Sequence, residues 1–199
     1  MRIWTRQKLK FWEQLKCEGV AYCTEESWWY EKYRFAYDWL VGQMNIRLFP
    51  APIPEIKLPL WGWVQYNNYK SRKPKFTPEK DERGFYPQVL IEVEIPNEML
   101  LQSNFYLWEC HCMNGWHIGD KKLEKEIQIF EDSNNKTCGF LEYPDELKQR
   151  IMKSWECIFD LDYRSRIYCD RPRRNKSIQA TFWLLRKEWV KNVSFFVPK

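Results

Sequence analysis

The sequence predicts an α+β fold: a small mixed or antiparallel sheet with N- and C-terminal strands in its core and helices packed around it. Strand-like runs bunch toward the two ends, at Arg2–Thr5, Leu60–Tyr66, Gln88–Ile95, Ser177–Leu184 and Val190–Val197. Helical stripes fill the stretches between them. The resulting order, β-α-α-β-β-α-α-α-β-β, lacks the regular strand–helix alternation of a doubly wound sheet.

Each element has a local reason. Gln7–Glu18 carries Leu9, Phe11, Trp12 and Leu15 at helical spacing, with Gly19 placed to cap its end. A second helix runs from about Trp29 to Arg47 on the stripe Ala36, Tyr37, Leu40, Val41 and Met44. Prolines at 50, 52, 54 and 59 make Phe49–Pro59 a stiff crossover. Asn67–Pro87 reads as a long polar loop. In Gln88–Ile95, Val89, Ile91, Val93 and Ile95 face a core while Glu92 and Glu94 face away. Ser103 is placed to cap a helix through about Met113. Asp120 opens the next, with Leu123, Ile127 and Phe130 on one face, and Pro144 begins a third carrying Leu147, Ile151, Trp155 and Ile158. A turn through Arg186–Glu188 joins the last two strands.

The 199 residues fit a single domain, 1–199, with 44% hydrophobic and 30% charged residues. That balance excludes a disordered chain, and no apolar run is long enough to span a bilayer. The charged first residues carry no secretory pattern, so the expected compartment is cytoplasmic. Seven cysteines, an odd number without C-x-x-C, fit free thiols. Cys110-His111-Cys112 with His117 does not match the common zinc spacing, so no metal is expected. The net charge of +5 is concentrated. Arg164, Arg166, Arg171, Arg173, Arg174 and Lys176 crowd one loop with a single acid, Asp170; Lys70, Arg72, Lys73 and Lys75 crowd another. Such loops either neutralise phosphates or are solvated surface.

The chain holds no glycine-rich phosphate loop, no G-x-S-x-G and no H-E-x-x-H. What it does hold is glutamine set among aromatic residues, 18% of the total with 12 Trp. Leu60-Trp61-Gly62-Trp63-Val64-Gln65-Tyr66, as a strand, puts Trp61, Trp63 and Gln65 on one face. Ser177-Ile178-Gln179-Ala180-Thr181-Phe182-Trp183-Leu184 does the same with Gln179, Thr181 and Trp183. A buried amide left unpaired costs roughly 1–3 kcal/mol, so each glutamine needs a partner. Either the indoles fill the core and the amides bond each other or the backbone, or the set receives a ligand. In the second case Trp and Tyr stack on a planar ring, Gln reads its polar edge, and Arg holds its phosphates, which suits a nucleotide-type ligand or an unpaired nucleic-acid base.

Trp4-Thr5 with Gln7, the helix ending in Gly19, Ala36-Tyr37-Asp38-Trp39-Leu40 with Gln43-Met44, and Trp61-Gly62-Trp63-Val64-Gln65-Tyr66 recur in order. After them come Ile95-Pro96, Asn104-Phe105-Tyr106-Leu107-Trp108, Ser154-Trp155-Glu156, Ile158-Phe159-Asp160 and Ser177-Ile178-Gln179-Ala180-Thr181-Phe182-Trp183. Over nearly its whole length the chain thereby resembles a bacterial family named only as domain of unknown function 3841. Its layout, an opening strand ending in Thr, a helix closed by Gly and a final strand–turn–strand near Gln179, is also similar to small ADP-ribosyltransferases. That second resemblance implies NAD as cofactor and transfer of ADP-ribose to protein or nucleic acid. It implies catalytic places for Thr5, Tyr66 and Gln179, and ligand contacts from Trp4, Trp63, Gln65, Thr181, Arg72, Arg173 and Arg174. Ile3 and Trp4 stand where that family carries Arg or His, and no evident catalytic Glu is present, with Glu188 as the fallback. The resemblance therefore implies an atypical or inactive form. The alternative expectation is a non-catalytic module of mobile-element or defence type that binds nucleic acid or protein.

Overall fold

The first strand is claimed by packing on both of its sides. In the computed structural model β1 (Arg2–Lys8) buries Ile3 and Thr5 completely on one side and Trp4 on the other. A strand with that pattern belongs inside a sheet, and β1 is flanked there by β3 (Leu60–Gln65) and β6 (Gln88–Glu94). With β7 (Leu101–Asn104), β8 (Ile178–Phe182) and β10 (Val190–Phe196) they form a six-stranded sheet in the order β10-β6-β1-β3-β8-β7. Every pairing in it is antiparallel. The fold is α+β as expected, with the first strand central and the last one on an edge. The structure describes residues 1–24, 28–66, 73–75, 80–81 and 84–197.

One face of the sheet is covered by α1 (Leu9–Glu18). Ile3, Val89, Ile91, Val93, Ala180 and Phe182 pack there with Leu15. Gly19 ends this helix at φ 77°, a left-handed turn whose N–H donates to the Leu15 carbonyl at 3.1 Å. The opposite face carries the larger helical layer, where α3 (Arg34–Arg47), α5 (Lys121–Ser133) and α6 (Asp145–Ser154) bring Leu40, Leu123, Ile151 and Trp155 together. Asp120 caps α5 by accepting from the Lys122 and Leu123 N–H groups, both at 2.9 Å. The Leu123 bond above all holds its carboxyl below the usual range. The proline-rich crossover is irregular and buries Ile56 beside Met44, Trp183 and Leu184.

Several elements differ from the pattern-based expectation. The helix expected over 29–47 is divided at Tyr33 into α2 (Trp28–Lys32) and α3. Ser103 caps no helix. It lies inside β7, and Asn104 is the cap, accepting from the Tyr106 and Leu107 N–H groups at 3.1 and 3.4 Å. The chain continues as α4 (Phe105–Leu107) and then a single π-helical turn, Trp108–Cys112. Leu-Gln-Ser-Asn at 101–104 holds one apolar residue and no alternation, so nothing local competes with the cap signal. Strand Ser177–Leu184 breaks at Trp183, and β9 (Leu184–Arg186) pairs instead with an unexpected β2 (Val20–Tyr22). Within the expected loop 67–87, β4 (Lys80–Asp81) and β5 (Gly84–Phe85) pair as a short ribbon.

Gly62 is required by a close approach. A Cβ there would meet Ile3 Cδ1 at 2.6 Å and Phe182 Cε1 at 3.4 Å, and both neighbours are almost fully buried. Gly62→Val should lower stability by about 1–3 kcal/mol through overpacking, read by urea denaturation. An unchanged midpoint would mean that the β1–β3 contact is looser than described.

Candidate functional site

Strands β3 and β8 bring the two aromatic–glutamine segments side by side, with Trp61 opposite Thr181 and Trp63 opposite Gln179. Opposed residues in an antiparallel pair share a face, so the row Trp4, Trp63, Gln179, Ser103 runs across four strands. A bulge between Trp63 and Gln65 ends this regularity. Gln65 is opposite Ile178, one step out of the row that holds Gln179.

That step decides the chemistry of the two carboxamides. Gln65 Nε2 donates to the Arg174 and Lys176 carbonyls at 2.7 and 2.6 Å, with Arg173 O at 3.4 Å. Its two amide hydrogens are thus committed to the loop at 173–176. The Gln179 carboxamide has no hydrogen-bond partner among the described residues, and at 9% exposure it forms part of the wall of a cavity of about 510 Å³. Tyr33, Tyr37, Trp61, Phe105, Trp108 and Met113 supply the apolar lining, and Glu109 and Asn114 the rest of the polar one. Tyr37 meets Trp108 edge-on at 5.5 Å and Trp61 at 6.4 Å, and the two indoles lie 5.2 Å apart. Burial pushes the Tyr37 phenol up to about 12, so it stays neutral. Glu109 lies on the π-helical turn, which Asn114 staples by donating to the Glu109 and Cys110 carbonyls, each at 3.1 Å.

Buried polar atoms without a hydrogen bond among the described residues are scattered: Trp4 Nε1 and the Ser103 hydroxyl on the sheet, Trp61 Nε1 near the Tyr37 phenol, and Nδ1 of His111 and His117 in the helical layer. The cavity can clasp a flat ring between aromatic walls and meet its edge with an amide that both donates and accepts.

The remaining sequence-selected residues lie elsewhere. Thr5 is fully buried, donates its hydroxyl to the Trp61 carbonyl at 2.7 Å and accepts from Gln7 at the same distance. It is a buried bridge between β1 and β3 and does not line the cavity. Thr181 is 1% exposed, makes a long 3.4 Å contact to the Leu101 carbonyl and does not line the cavity. Trp63 and Tyr66 stand one ring behind it, Trp63 meeting Tyr66 at 4.8 Å and Phe105 at 4.9 Å. Trp4 and Gln65 border a separate cavity with Arg173. Arg174 is exposed, Arg72 lies outside the described residues, and Glu188 is exposed beside Arg186 at 3.8 Å. Lys176 is 2% exposed, its ammonium donating to the Leu161 and Tyr163 carbonyls at 2.7 and 2.6 Å, so it leaves the set of surface cations.

The wall residues missed in the sequence come from the helical layer. Tyr37 was legible only as part of a core stripe, and Phe105, Glu109 and Asn114 were hidden by the expectation of one regular helix from Ser103. His111 on the π-helical turn and His117 beyond it flank Tyr168, at ring distances of 5.4 and 6.0 Å. Among the described residues no group of three or more His, Cys, Asp or Glu side chains gathers as a metal site.

These local bonds have measurable consequences. Gln65→Ala removes the tether of loop 173–176 and should cost about 1–2 kcal/mol, with faster tryptic cleavage at Arg173 and Arg174. Unaltered cleavage and stability would deny it that role. Burial also holds both imidazoles, His111 and His117, below the usual histidine range. The unfolded chain takes up protons at about pH 6.5 while the folded one resists, so stability falls as pH drops from about 6.5 toward 5. A thermal-melting series should record that fall, and a His111→Gln/His117→Gln double variant should flatten it.

No curated protein and no solved structure matches the chain. The model of one family does, over residues 2–191, and the chain belongs to that family, described as Domain of unknown function (DUF3841).

Proposed function

We propose that the cavity beside β8 binds a nucleotide-type ligand through its flat heteroaromatic ring. One observation carries this: the Gln179 carboxamide has no partner among the described residues and lines an aromatic cavity at the junction of sheet and helices. Tyr37, Trp61 and Trp108 supply stacking and edge contacts. Gln179 supplies a donor and an acceptor for an amide-like or exocyclic edge, and Glu109 an acceptor for an amino group. About 510 Å³ suits a base with its sugar. Among the described residues no arginine or lysine lines the cavity, so phosphates would lie outside it.

In its catalytic form this reading makes NAD the ligand and transfer of ADP-ribose to a protein or nucleic-acid acceptor the reaction. The nicotinamide ring occupies the aromatic walls and Gln179 orients the sugar or acceptor. Glu109, on the cavity rim, is better placed than Glu188 to act as the carboxylate. The binding form requires no transfer step, and the two are separated by whether nicotinamide is released.

Calorimetric titration with NAD, ADP-ribose, adenosine and nicotinamide tests both. Gln179→Ala should weaken the preferred ligand about tenfold, as expected for one lost hydrogen bond and its desolvated partner. Because that carboxamide bonds no described residue, the melting temperature should move by less than about 4 °C. Nicotinamide release by the native chain, abolished in Glu109→Gln, would establish the enzyme. Equal ligand affinity of native and Gln179→Ala protein would end the reading.

A further inference from the structure

Six cations stand on the segment 164–176, and the structure sorts them. Arg164 pairs with Asp170 at 3.1 Å, and the Lys176 ammonium is buried against carbonyls. Arg166, Arg171, Arg173 and Arg174 remain, all exposed and all without an ion-pair partner among the described residues. Unpaired arginines this dense repel one another unless something anionic lies across them.

This strap borders a third cavity, of about 220 Å³, lined among others by Tyr106, Ile167, Tyr168, Arg171 and Asp170, whose carboxylate is taken by Arg164. Tyr106 is 51% exposed and Ile167 70% exposed, large apolar groups set among cations. Consecutive residues line this cavity and the Gln179 one. Phe105 lines the Gln179 cavity and Tyr106, the next residue, lines this one. The exposed Tyr106 ring and the half-buried Tyr168 beside Arg171 offer what a single nucleic-acid strand uses: guanidinium groups for phosphates and an aromatic face for a base. An acidic peptide would satisfy the arginines and leave the rings unused.

We infer that the ligand of the Gln179 cavity is an unpaired base within a single-stranded nucleic acid, whose backbone lies along Arg166, Arg171, Arg173 and Arg174. This rests on the proposed cavity function and names its substrate class. The scarcity of cations on the cavity wall is then explained, because the phosphates stay on the strap while one base passes Phe105 into the aromatic walls. Duplex ends and mismatched pairs supply such a base less readily than a free strand, since unstacking costs a few kcal/mol.

The test uses the full chain and single strands of about 15 nucleotides, in ribo and deoxy forms, with 2-aminopurine at the centre. Binding is read by anisotropy and base insertion by 2-aminopurine fluorescence. If each arginine neutralises one phosphate, log K should fall with log salt at a slope of about −2.8, or about 50-fold weaker binding between 50 and 200 mM. Arg171→Ala/Arg173→Ala should halve the slope to about −1.4, and so should Arg166→Ala/Arg174→Ala. Gln179→Ala should keep the slope and lose the fluorescence change. A preference for one sugar form identifies the strand as RNA or DNA. No oligonucleotide binding, a slope indifferent to the arginines, or equal competition by polyglutamate overturns the inference, as does a fluorescence change that survives Gln179→Ala. Mononucleoside binding that depends on Gln179, found together with failure of the oligonucleotide, would leave the cavity function standing and remove only the strand.

Discussion

The pairing of β3 with β8 is the contact on which the rest of the molecule depends. It joins chain segments more than a hundred residues apart, and its register sets Trp61 and Trp63 against Thr181 and Gln179. A shift by one residue would exchange the two faces of the sheet, sending Gln179 into the aliphatic layer of Ile3 and Phe182 and Ala180 into the aromatic one. The bulge at Trp63–Gln65 then gives two chemically identical side chains opposite fates. One glutamine ties down a loop, and the other is left facing a hollow with its amide unspent. Gly62 keeps this seam tight by letting Ile3 and Phe182 close over the strand where any side chain would hold them apart.

The cavity survives as an opening because the rings around it hold one another. Edge-on contacts such as those of Tyr37 with Trp61 and Trp108 contribute about 0.5–1.5 kcal/mol beyond buried area, and they fix ring planes as well as positions. Aliphatic side chains in the same places would find rotamers that fill the space. A rigid aromatic frame cannot.

How much of this was readable beforehand depended on the range of the signal. Period-two alternation in Gln88–Ile95 and the glycine at 19 identified β6 and the end of α1, because both are local consequences of side-chain direction and backbone freedom. Matching alternation in two remote segments put Trp63 and Gln179 on aromatic faces, but their opposition across β3 and β8 is a matter of register that neither segment states alone. The bulge was not legible either, since nothing in Trp-Val-Gln announces an extra residue. Thr5 illustrates the opposite limit. Its residue type and its place at the end of a strand-like run are shared by a catalytic group and by a hydroxyl that bridges two backbone strands. Only burial and the Trp61 carbonyl distinguish them. Phe105, Glu109 and Asn114 stayed hidden because a cap, a three-residue helix and a π-helical turn mimic one continuous helix in sequence.

Asn104 ends a strand and starts a helix in the same residue, with its side chain gripping both the amides of Tyr106 and Leu107 and the Cys169 thiol at 3.4 Å. The helix phase is therefore pinned at its origin, and successive side chains diverge by about 100° from there. Phe105 and Tyr106 look into different hollows for that reason alone. Between residues 103 and 107 even one inserted or deleted position would swap the two rings between hollows and displace the buried Asn104 and Leu107.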